Sequence, residues 1–303
     1  MVVLRAGALG DVVLLRPALA SLRSAGFEVV LFAPSGPAAL LTHEIDAVWP
    51  WESPDVARFL GEAGHDRSET CARLATASAV LAITRDASVL EALRRCAGKV
   101  IALDPTPPPG QHAAAWYEAA TRELGTRSDS RPTVLEMSRK ARERAERLAL
   151  ALPRDFLVLH PGSGSRRKNW SAESFGALAG ILAPATAFAV VEGPADVECV
   201  ARLLKYVPRA VIIRNEPLDA LGAFVARAGV YVGNDSGVTH LAAAVGTAVV
   251  ALFGPTDPAV WSPLGRSVRV LRAPDHDLQR LDPARVAEAA VGLRSEVRAL
   301  RGD

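Results

Sequence analysis

The sequence contains little cysteine, and its cysteines are dispersed. Cys71, Cys96 and Cys199 form no C-x-x-C pair and have no histidine cluster near them. Structural zinc sites need such grouping, and disulfide frameworks are typical of cysteine-rich secreted chains. We therefore expect no zinc site, no disulfide and a reducing, cytoplasmic environment.

The chain also lacks an excess of charge of one sign and a long apolar span. It carries 35 Lys and Arg against 33 Asp and Glu in 303 residues, whereas a nucleic-acid-binding domain needs a concentrated basic face. The uncharged stretches 175–191 and 236–256 contain proline or glycine breaks and are typical of a buried helix followed by a buried strand. We expect no nucleic-acid partner, no transmembrane segment and, because Arg5 and Asp11 interrupt the first apolar run, no signal peptide.

Apolar, β-rich runs alternate with helical stretches along most of the chain. Strands are predicted at 2–4, 29–32, 79–83, 100–103, 156–160, 188–191, 211–213, 230–232 and 248–253. Alternation of strands and helices at this spacing predicts βαβ units and parallel sheets covered on both faces. The prediction is an α/β protein of two Rossmann-like parallel-sheet domains facing a cleft, at 1–128 and 133–282. The polar segment 126–132 is the predicted linker, and a last helix is predicted at 283–300.

The first loop of interest joins the first strand to the first helix. Gly7 and Gly10 allow a tight turn and a close approach of the backbone to a ligand. Asp11 is expected at the start of the helix, where the helix dipole stabilises a carboxylate. Such an aspartate can act as a general base on an acceptor hydroxyl, or it can merely cap the helix.

The second loop, 160–170, reads H-P-G-S-G-S-R-R-K-N-W between a strand and a helix. Its small residues, among them Ser163 and Ser165, expose amides and hydroxyls, and Lys168 closes a run of three cations. This composition suits a diphosphate cradle, although a solvated basic loop has the same composition. Trp170 is interpreted as a packing residue.

The third loop, 233–240, reads G-N-D-S-G-V-T-H and again joins a strand to a helix. Ser236 and Gly237 place free amides at the helix start, which favours phosphate binding, and Asp235 can accept from sugar hydroxyls. His240 lies one turn further on, where it can donate to a phosphate oxygen or be an ordinary core histidine. Two anion-binding loops in one half together favour a nucleotide diphosphate.

Two further acidic positions follow strands. Glu192 precedes Gly193 and Pro194, and it can supply a carboxylate near a ribose or simply belong to a turn that caps the next helix. Asp275 and Asp277 spell a D-x-D, but they lie in a late polar loop and not directly after a strand of the nucleotide fold. We therefore predict no metal site.

The loop motifs resemble the signature blocks of the ADP-heptose:lipopolysaccharide heptosyltransferase family, glycosyltransferase family 9. The blocks are G-A-L-G-D-V-V, H-P-G-S-G-S-R-R-K-N-W, G-N-D-S-G-V-T-H-L-A-A-A-V-G-T and A-L-F-G-P-T-D-P, and they occur in the family's order. The resemblance implies a GT-B fold with an acceptor-side first domain and a donor-binding second domain. It also implies that the last helix, 283–303, packs back on the first domain.

The resemblance further assigns roles to individual residues. It implies that Asp11 is the catalytic base and that Lys168 contacts the donor diphosphate. It also places Glu216 in the segment along the adenine. The donor contacts carried over by resemblance are Ser163, Ser165, Asp235, Ser236, Gly237 and His240.

The implied activity is an inverting, metal-independent transfer of a sugar, heptose in the family, from an ADP-sugar to a lipopolysaccharide-core or other glycan or lipid-linked acceptor. The donor is a substrate, and no cofactor is expected. The family's lipid-linked acceptors imply peripheral contact with the inner face of the plasma membrane. Two alternatives stay open at this point: a non-catalytic nucleotide-sugar-binding protein, and a GT-B-type sugar-nucleotide epimerase that needs no acceptor.

Overall fold

A computed structural model describes residues 1–61, 68–127, 133–183 and 186–301. The chain divides into two compact units, Met1–Thr133 and Val134–Asp303. Each unit contains one parallel sheet flanked by helices, so the predicted α/β fold with two parallel-sheet halves is confirmed. Most of the predicted linker, residues 128–132, lies outside the described residues.

The first unit is built on a five-stranded parallel sheet. Its strands are β1 (Val2–Leu4), β2 (Val30–Ala33), β3 (Ala47–Pro50), β4 (Val80–Ile83) and β5 (Val100–Leu103), in the spatial order β3-β2-β1-β4-β5. Its helices are α1 (Leu9–Val13), α2 (Arg16–Ser24), α3 (Ser35–Ala39), α4 (Pro54–Leu60), α5 (Glu69–Ala75), α6 (Ala87–Cys96) and α7 (Ala113–Ala120). A 3-10 turn, Thr121–Leu124, follows α7 and ends at Gly125, whose φ is +81°.

The second unit is built on a six-stranded parallel sheet. Its strands are β6 (Leu157–His160), β7 (Phe188–Glu192), β8 (Val211–Arg214), β9 (Val230–Asn234), β10 (Val249–Phe253) and β11 (Val268–Arg272), in the spatial order β11-β10-β9-β6-β7-β8. Its helices are α8 (Arg139–Leu148), α9 (Ala172–Leu182), α10 (Val197–Leu203), α11 (Leu218–Val225), α12 (Gly237–Ala244), α13 (Pro258–Trp261) and α14 (Pro283–Arg301). The central strands β6, β9 and β10 are buried along their whole length, as expected for a sheet covered on both faces.

The last helix, α14, belongs to the core of the second unit. Its buried side chains, including Val286 and Leu293, pack in the same apolar cluster as Phe175 of α9 and Val250 of β10. That apolar stripe is covered by α9 and the second sheet. The expectation that this helix also packs on the first domain stays a prediction. In the part of the chain that the structure describes, no helix combines the length and apolarity needed to span a membrane.

The expectation that no disulfide forms is also wrong. Cys71 on α5 and Cys96 at the end of α6 are joined by a disulfide. The two helices pack on each other within the first unit, which brings the cysteines to a Cα–Cα distance of 5.2 Å although they are 25 residues apart. Linear spacing could not reveal this contact, because it depends on how the two helices pack on the sheet.

Candidate functional site

The carboxyl ends of the strands in the second sheet carry the loops that the sequence indicates. The loop after β6 leads to α9, and the loop after β9 leads to α12. Strand β9 is hydrogen-bonded to β6 on one side and to β10 on the other, all in parallel. The loops after these three strands therefore lie side by side on one edge, the edge where parallel α/β sheets bind ligands.

Lys168 and Asp235 form the centre of this edge. Lys168 Nζ donates to Asp235 Oδ2 at 3.0 Å, and His240 Nε2 lies 4.0 Å from Asp235 Oδ1. The side chain of Asp235 is 8% exposed, whereas that of Lys168 is 31% exposed. An ammonium group has three hydrogens to donate, so Lys168 has donors left for an anion beside Asp235. Lys168 and His240, predicted from two separate loops, thus converge on the Asp235 carboxylate.

The start of α12 lies beside this ion pair in sequence and space. Ser236 is the N-cap, and its Oγ accepts a hydrogen bond from the Thr239 amide at 3.4 Å. Gly237 is the first helical residue. The first amides of a helix have no partners within the helix, and together with the helix dipole they form an anion-binding site.

The two predicted serines of the loop after β6 shape that loop. Ser163 Oγ lies 2.7 Å from the Ser165 carbonyl oxygen and 2.6 Å from Asn169 Oδ1. The Ser165 amide donates back to Ser163 Oγ at 3.2 Å, and the Ser165 carbonyl accepts from the Lys168 amide at 2.9 Å. These contacts fold the loop into the 3-10 turn Arg166–Lys168, and they determine the position from which the Lys168 side chain extends.

Asn234, which the sequence analysis did not select, anchors the same loop to β9. Its side chain is fully buried; Nδ2 donates to the Pro161 carbonyl at 2.8 Å, and Oδ1 accepts from the Trp170 amide at 3.0 Å. One amide side chain therefore binds the first and last parts of the loop. Trp170 is 1% exposed and its indole donates to the Leu281 carbonyl at 3.2 Å, which confirms its interpretation as a packing residue.

Glu192 and Glu216 are each held by an arginine. Glu192, at the end of β7, is buried and accepts from Arg214 Nε at 2.8 Å. Glu216 accepts from Nε and Nη2 of Arg144, and this pairing raises the pKa of Arg144. The recorded contacts of both glutamates lead to these arginines and not to Lys168 or Asp235.

Asp11 in the first unit uses both carboxylate oxygens. Oδ1 accepts from Arg5 Nη2 at 2.6 Å, and Oδ2 accepts from the Ala8 amide at 2.9 Å. The contact with the Ala8 amide is a helix-capping interaction, the role that the sequence allowed for Asp11 as an alternative to a general base. The side chain is nevertheless 25% exposed, and each carboxylate oxygen has a further lone pair. Asp11 is thus held in one orientation with part of its carboxylate accessible.

Gly7 makes that orientation sterically feasible, while Gly10 lies within α1 itself. A Cβ at position 7 would lie 2.7 Å from both Cβ and Oδ2 of Asp11, a distance that carbon and oxygen atoms do not tolerate. Arg5 is fixed on its other side by Tyr117, with the guanidinium carbon 6.0 Å from the ring centroid. Burial raises the pKa of Tyr117 to about 12, so this ring stays neutral.

Besides Asn234, four contact residues of these sites were not selected from the sequence: Arg5, Thr256, His160 and Asp196. Thr256 Oγ1 donates to Asp235 Oδ2 at 2.8 Å, and its place in the G-P-T-D turn after β10 was a usable signal. Asp196 Oδ2 lies 3.2 Å from His160 Nε2. Burial acts to raise the pKa of Asp196, but the hydrogen bond and charge of His160 and the Gly193 amide lower it below its usual value.

The side chains of the D-x-D segment form an ion pair and cap a turn. Asp275 pairs with Arg280, His276 Nδ1 lies 3.1 Å from Arg272 Nη2, and Asp277 caps the turn that follows. Within residues 1–61, 68–127, 133–183 and 186–301, no group of three or more His, Cys, Asp or Glu side chains is arranged to hold a metal ion.

Comparison with known proteins identifies the fold class first. The chain superposes on a glycosyl transferase family 9 structure from Veillonella parvula with a TM-score of 0.82, at 22% identity and covering 97% of both chains. It superposes on the Escherichia coli heptosyltransferase WaaC, solved with ADP, with a TM-score of 0.74, at 20% identity and covering 96% of this chain and 99% of that chain. The two-sheet architecture is therefore that of the GT-B heptosyltransferase structures.

The family follows from the sequence comparison. Residues 103–287 match the model of glycosyltransferase family 9 (heptosyltransferase), and the chain belongs to this family. Lipopolysaccharide heptosyltransferase 3 of Escherichia coli is 30% identical over 129 residues, which are 40% of this chain and 38% of that protein. The sequence match thus spans about two-fifths of the length of this curated relative.

Proposed function

We propose that this protein is a glycosyltransferase that moves a sugar, heptose, from an ADP-sugar to a hydroxyl group of a lipopolysaccharide-core or other glycan acceptor. The observation that carries this proposal is the convergence of Lys168, Asp235 and His240 beside the start of α12. A cation next to free helix amides is suited to a diphosphate leaving group. Family membership and the relative solved with ADP favour an ADP-sugar as the donor.

In the proposed reaction the acceptor oxygen attacks the anomeric carbon directly, and the configuration of that carbon is inverted. Asp11 takes the proton of the acceptor hydroxyl as the new glycosidic bond forms. The bond between the anomeric carbon and the diphosphate oxygen breaks, and negative charge builds on the departing ADP. The Lys168 ammonium and the amides at Gly237 stabilise that charge, so the proposal needs no metal ion.

The orientation of Asp11 supports its role in this proposal. Arg5 and the Ala8 amide hold the carboxylate in place, and a general base must be fixed within hydrogen-bond reach of the proton that it removes. The same contacts also suit a purely structural cap. Activity measurements are therefore needed to separate the two roles.

A two-part experiment tests the proposal. Isothermal titration calorimetry with ADP, UDP, GDP and CDP measures donor class, and we expect ADP to bind most tightly. Purified protein is then incubated with ADP-heptose, with and without heptose-deficient lipopolysaccharide core, and ADP release is measured. Acceptor-dependent ADP release supports a transferase. ADP binding without release supports a non-catalytic binding protein, and conversion of the donor alone supports an epimerase.

The acceptor and the place of reaction belong to the same proposal. A cytoplasmic location, with peripheral contact at the inner membrane face, fits a family that acts on lipid-linked acceptors. Sedimentation with anionic phospholipid vesicles, with and without the acceptor lipid, measures this contact.

A further inference from the structure

Three buried polar side chains form a hydrogen-bond chain across the binding edge of the second unit. His160 ends β6, Ser236 follows β9, and Asp196 follows β7, so the three come from adjacent strands. Asp196 Oδ2 lies 3.2 Å from His160 Nε2, and His160 Nδ1 lies 3.2 Å from Ser236 Oγ. All three residues are less than one-tenth exposed. We refer to Asp196, His160 and Ser236 as the buried hydrogen-bond chain.

The hydrogen bonds at the Asp196 end of this chain have a defined direction. The Asp196 carboxylate accepts from the Gly193 amide at 2.9 Å, and as an ionised group it can only accept. The hydrogen of the imidazole ring is therefore on Nε2, facing Asp196. Nδ1 on the other side of the ring lies within hydrogen-bond distance of Ser236 Oγ, so the imidazole links the carboxylate to the helix cap.

Ser236 connects His160 to α12. While its oxygen contacts His160, it also accepts from the Thr239 amide and caps the helix. Thr239 Oγ1 lies 3.1 Å from the same oxygen, but its own hydrogen goes to the Asn234 carbonyl. The first turn of α12 is thus connected through Ser236 and His160 to Asp196 at the start of α10.

The packing around Asp196 shows how closely this arrangement is fitted. A Cβ at Gly162 would lie 1.8 Å from Asp196 Oδ1. The carboxylate therefore occupies the space that a side chain at position 162 would need. The loop that carries Lys168 and the buried hydrogen-bond chain are in direct contact at this glycine.

We infer that Asp196 and His160 are positioning residues that fix the start of α12 for diphosphate binding. They hold Ser236 in the orientation that caps the helix, and this places the amides at Gly237 beside the Lys168 ammonium. Anion binding by amides and a cation requires donors held close to their productive geometry. The inference rests on the proposed function, because it assumes that the ligand at this edge carries a diphosphate.

The test compares the affinities for ADP and for adenosine, which lacks the diphosphate, in the unaltered protein and in variants. In His160→Leu the hydrogen-bond partner of Ser236 and the donor to Asp196 are both lost. We expect ADP affinity to fall about three- to tenfold, with adenosine affinity unchanged. Asp196→Ala is expected to have the same selective effect. His160→Gln, which keeps one donor and one acceptor, is expected to restore most of the ADP affinity.

Control measurements distinguish a positioning role of His160 and Asp196 from a general loss of folding. His43→Leu changes an exposed histidine of the first unit and is expected to leave both affinities unchanged. Circular dichroism and thermal melting establish that each variant is folded. A variant that fails to fold is replaced in the comparison by the milder His160→Asn.

The outcomes distinguish this inference from the function on which it rests. If the unaltered protein binds no ADP, the proposed function fails and this inference fails with it. If ADP binds but the variants lose adenosine and ADP affinity equally, or lose neither, the positioning role is overturned while the proposed function stands. A selective loss of ADP affinity that glutamine repairs supports the inference.

Discussion

Lys168 and Asp235 form an ion pair at 3.0 Å although they are 67 residues apart in the chain. Asp235 is the more buried partner, so it depends on Lys168 and on Thr256 for its stabilisation. An anion bound at this edge would share the Lys168 ammonium with Asp235. The pair therefore has a structural role in the free protein and a binding role in the proposed complex.

Lys168→Met is expected to weaken ADP binding about ten- to a hundredfold, because a hydrogen bond to a charged group contributes on the order of 1.5–3 kcal/mol. Isothermal titration calorimetry measures the effect. Lys205→Met, at an exposed lysine of the same unit, is the matched control and is expected to bind ADP normally. Unchanged ADP affinity in Lys168→Met would remove Lys168 from the donor site.

Asp11→Asn is expected to lower kcat by about 10²- to 10⁴-fold while ADP affinity is kept, because asparagine cannot accept the proton of the acceptor hydroxyl. The rate of acceptor-dependent ADP release measures the change. Asp86→Asn is a matched control, since Asp86 also caps a helix of the first unit and accepts from Ser88 and Val89. Near-normal turnover in Asp11→Asn would leave Asp11 with the capping role alone.

Gly7→Ala tests the same site through the backbone. The added Cβ would overlap the Asp11 side chain, so we expect the carboxylate to move and kcat to fall. Gly36→Ala is the control, because no atom lies within 4 Å of the Cβ that it adds. Equal kcat values in the two variants would show that the position of Asp11 does not limit the reaction.

Reduction of the Cys71–Cys96 disulfide is expected to lower the free energy of unfolding by about 3 kcal/mol, the value for a closed loop of this length. Urea unfolding with and without reductant measures the difference, and Cys199→Ser is the control.

Burial and the charge of Asp196 raise the pKa of Cys199 to about 11, so the folded oxidised protein should react slowly with alkylating agents. Three reactive thiols in the unfolded, unreduced protein would contradict the disulfide.

Acid is expected to destabilise the protein partly through Asp196. Its pKa in the folded protein lies below the ordinary value of 3.8, so its ionised form stabilises the fold at pH values above about 4. This contribution is lost as the pH falls through the lower folded-state pKa. Urea unfolding between pH 6 and pH 2.5 should therefore show a shallower acid decline for Asp196→Asn than for the unaltered protein. Parallel profiles would contradict this.

Element type was predictable for most of the strands. The strands at Val2–Leu4 and Val100–Leu103 were predicted with the bounds that the structure has, and most others differ by one or two residues. Two edge strands were not assigned. Strand β11 (Val268–Arg272) alternates valine with arginine because it is partly exposed, so it has no continuous apolar run. Strand β3 (Ala47–Pro50) is exposed at both ends, and its short apolar run ends in proline.

Helix boundaries were harder to predict near proline. A single first helix with Asp11 at its start was expected, but the structure has α1 and α2, with Pro17 in the first turn of α2. Proline has no amide hydrogen to continue the first helix, and it is well tolerated at a helix start. Pro17 in the sequence therefore already indicated the break between α1 and α2.

The sequence predicted which loops form the candidate site, but it did not predict which side chains contact one another there. Glycines, hydroxyl residues and charges after strands identified the loops of Asp11, Lys168 and Asp235. The partners of these residues depend on strand order and on side-chain packing. Arg5 beside Asp11, and His160 between Asp196 and Ser236, could be recognised only once the loops were placed in three dimensions.

The contact between Asn234 and the Pro161 carbonyl has a consequence for biosynthesis. Asn234 follows Pro161 by 73 residues, and ribosomes add roughly 5–20 residues per second. Strand β6 therefore leaves the ribosome several seconds before its neighbour β9 exists. During that interval one side of β6 has no strand to pair with, and an open strand edge promotes aggregation. The nascent chain thus passes through a stage at which chaperone protection of β6 would be most useful.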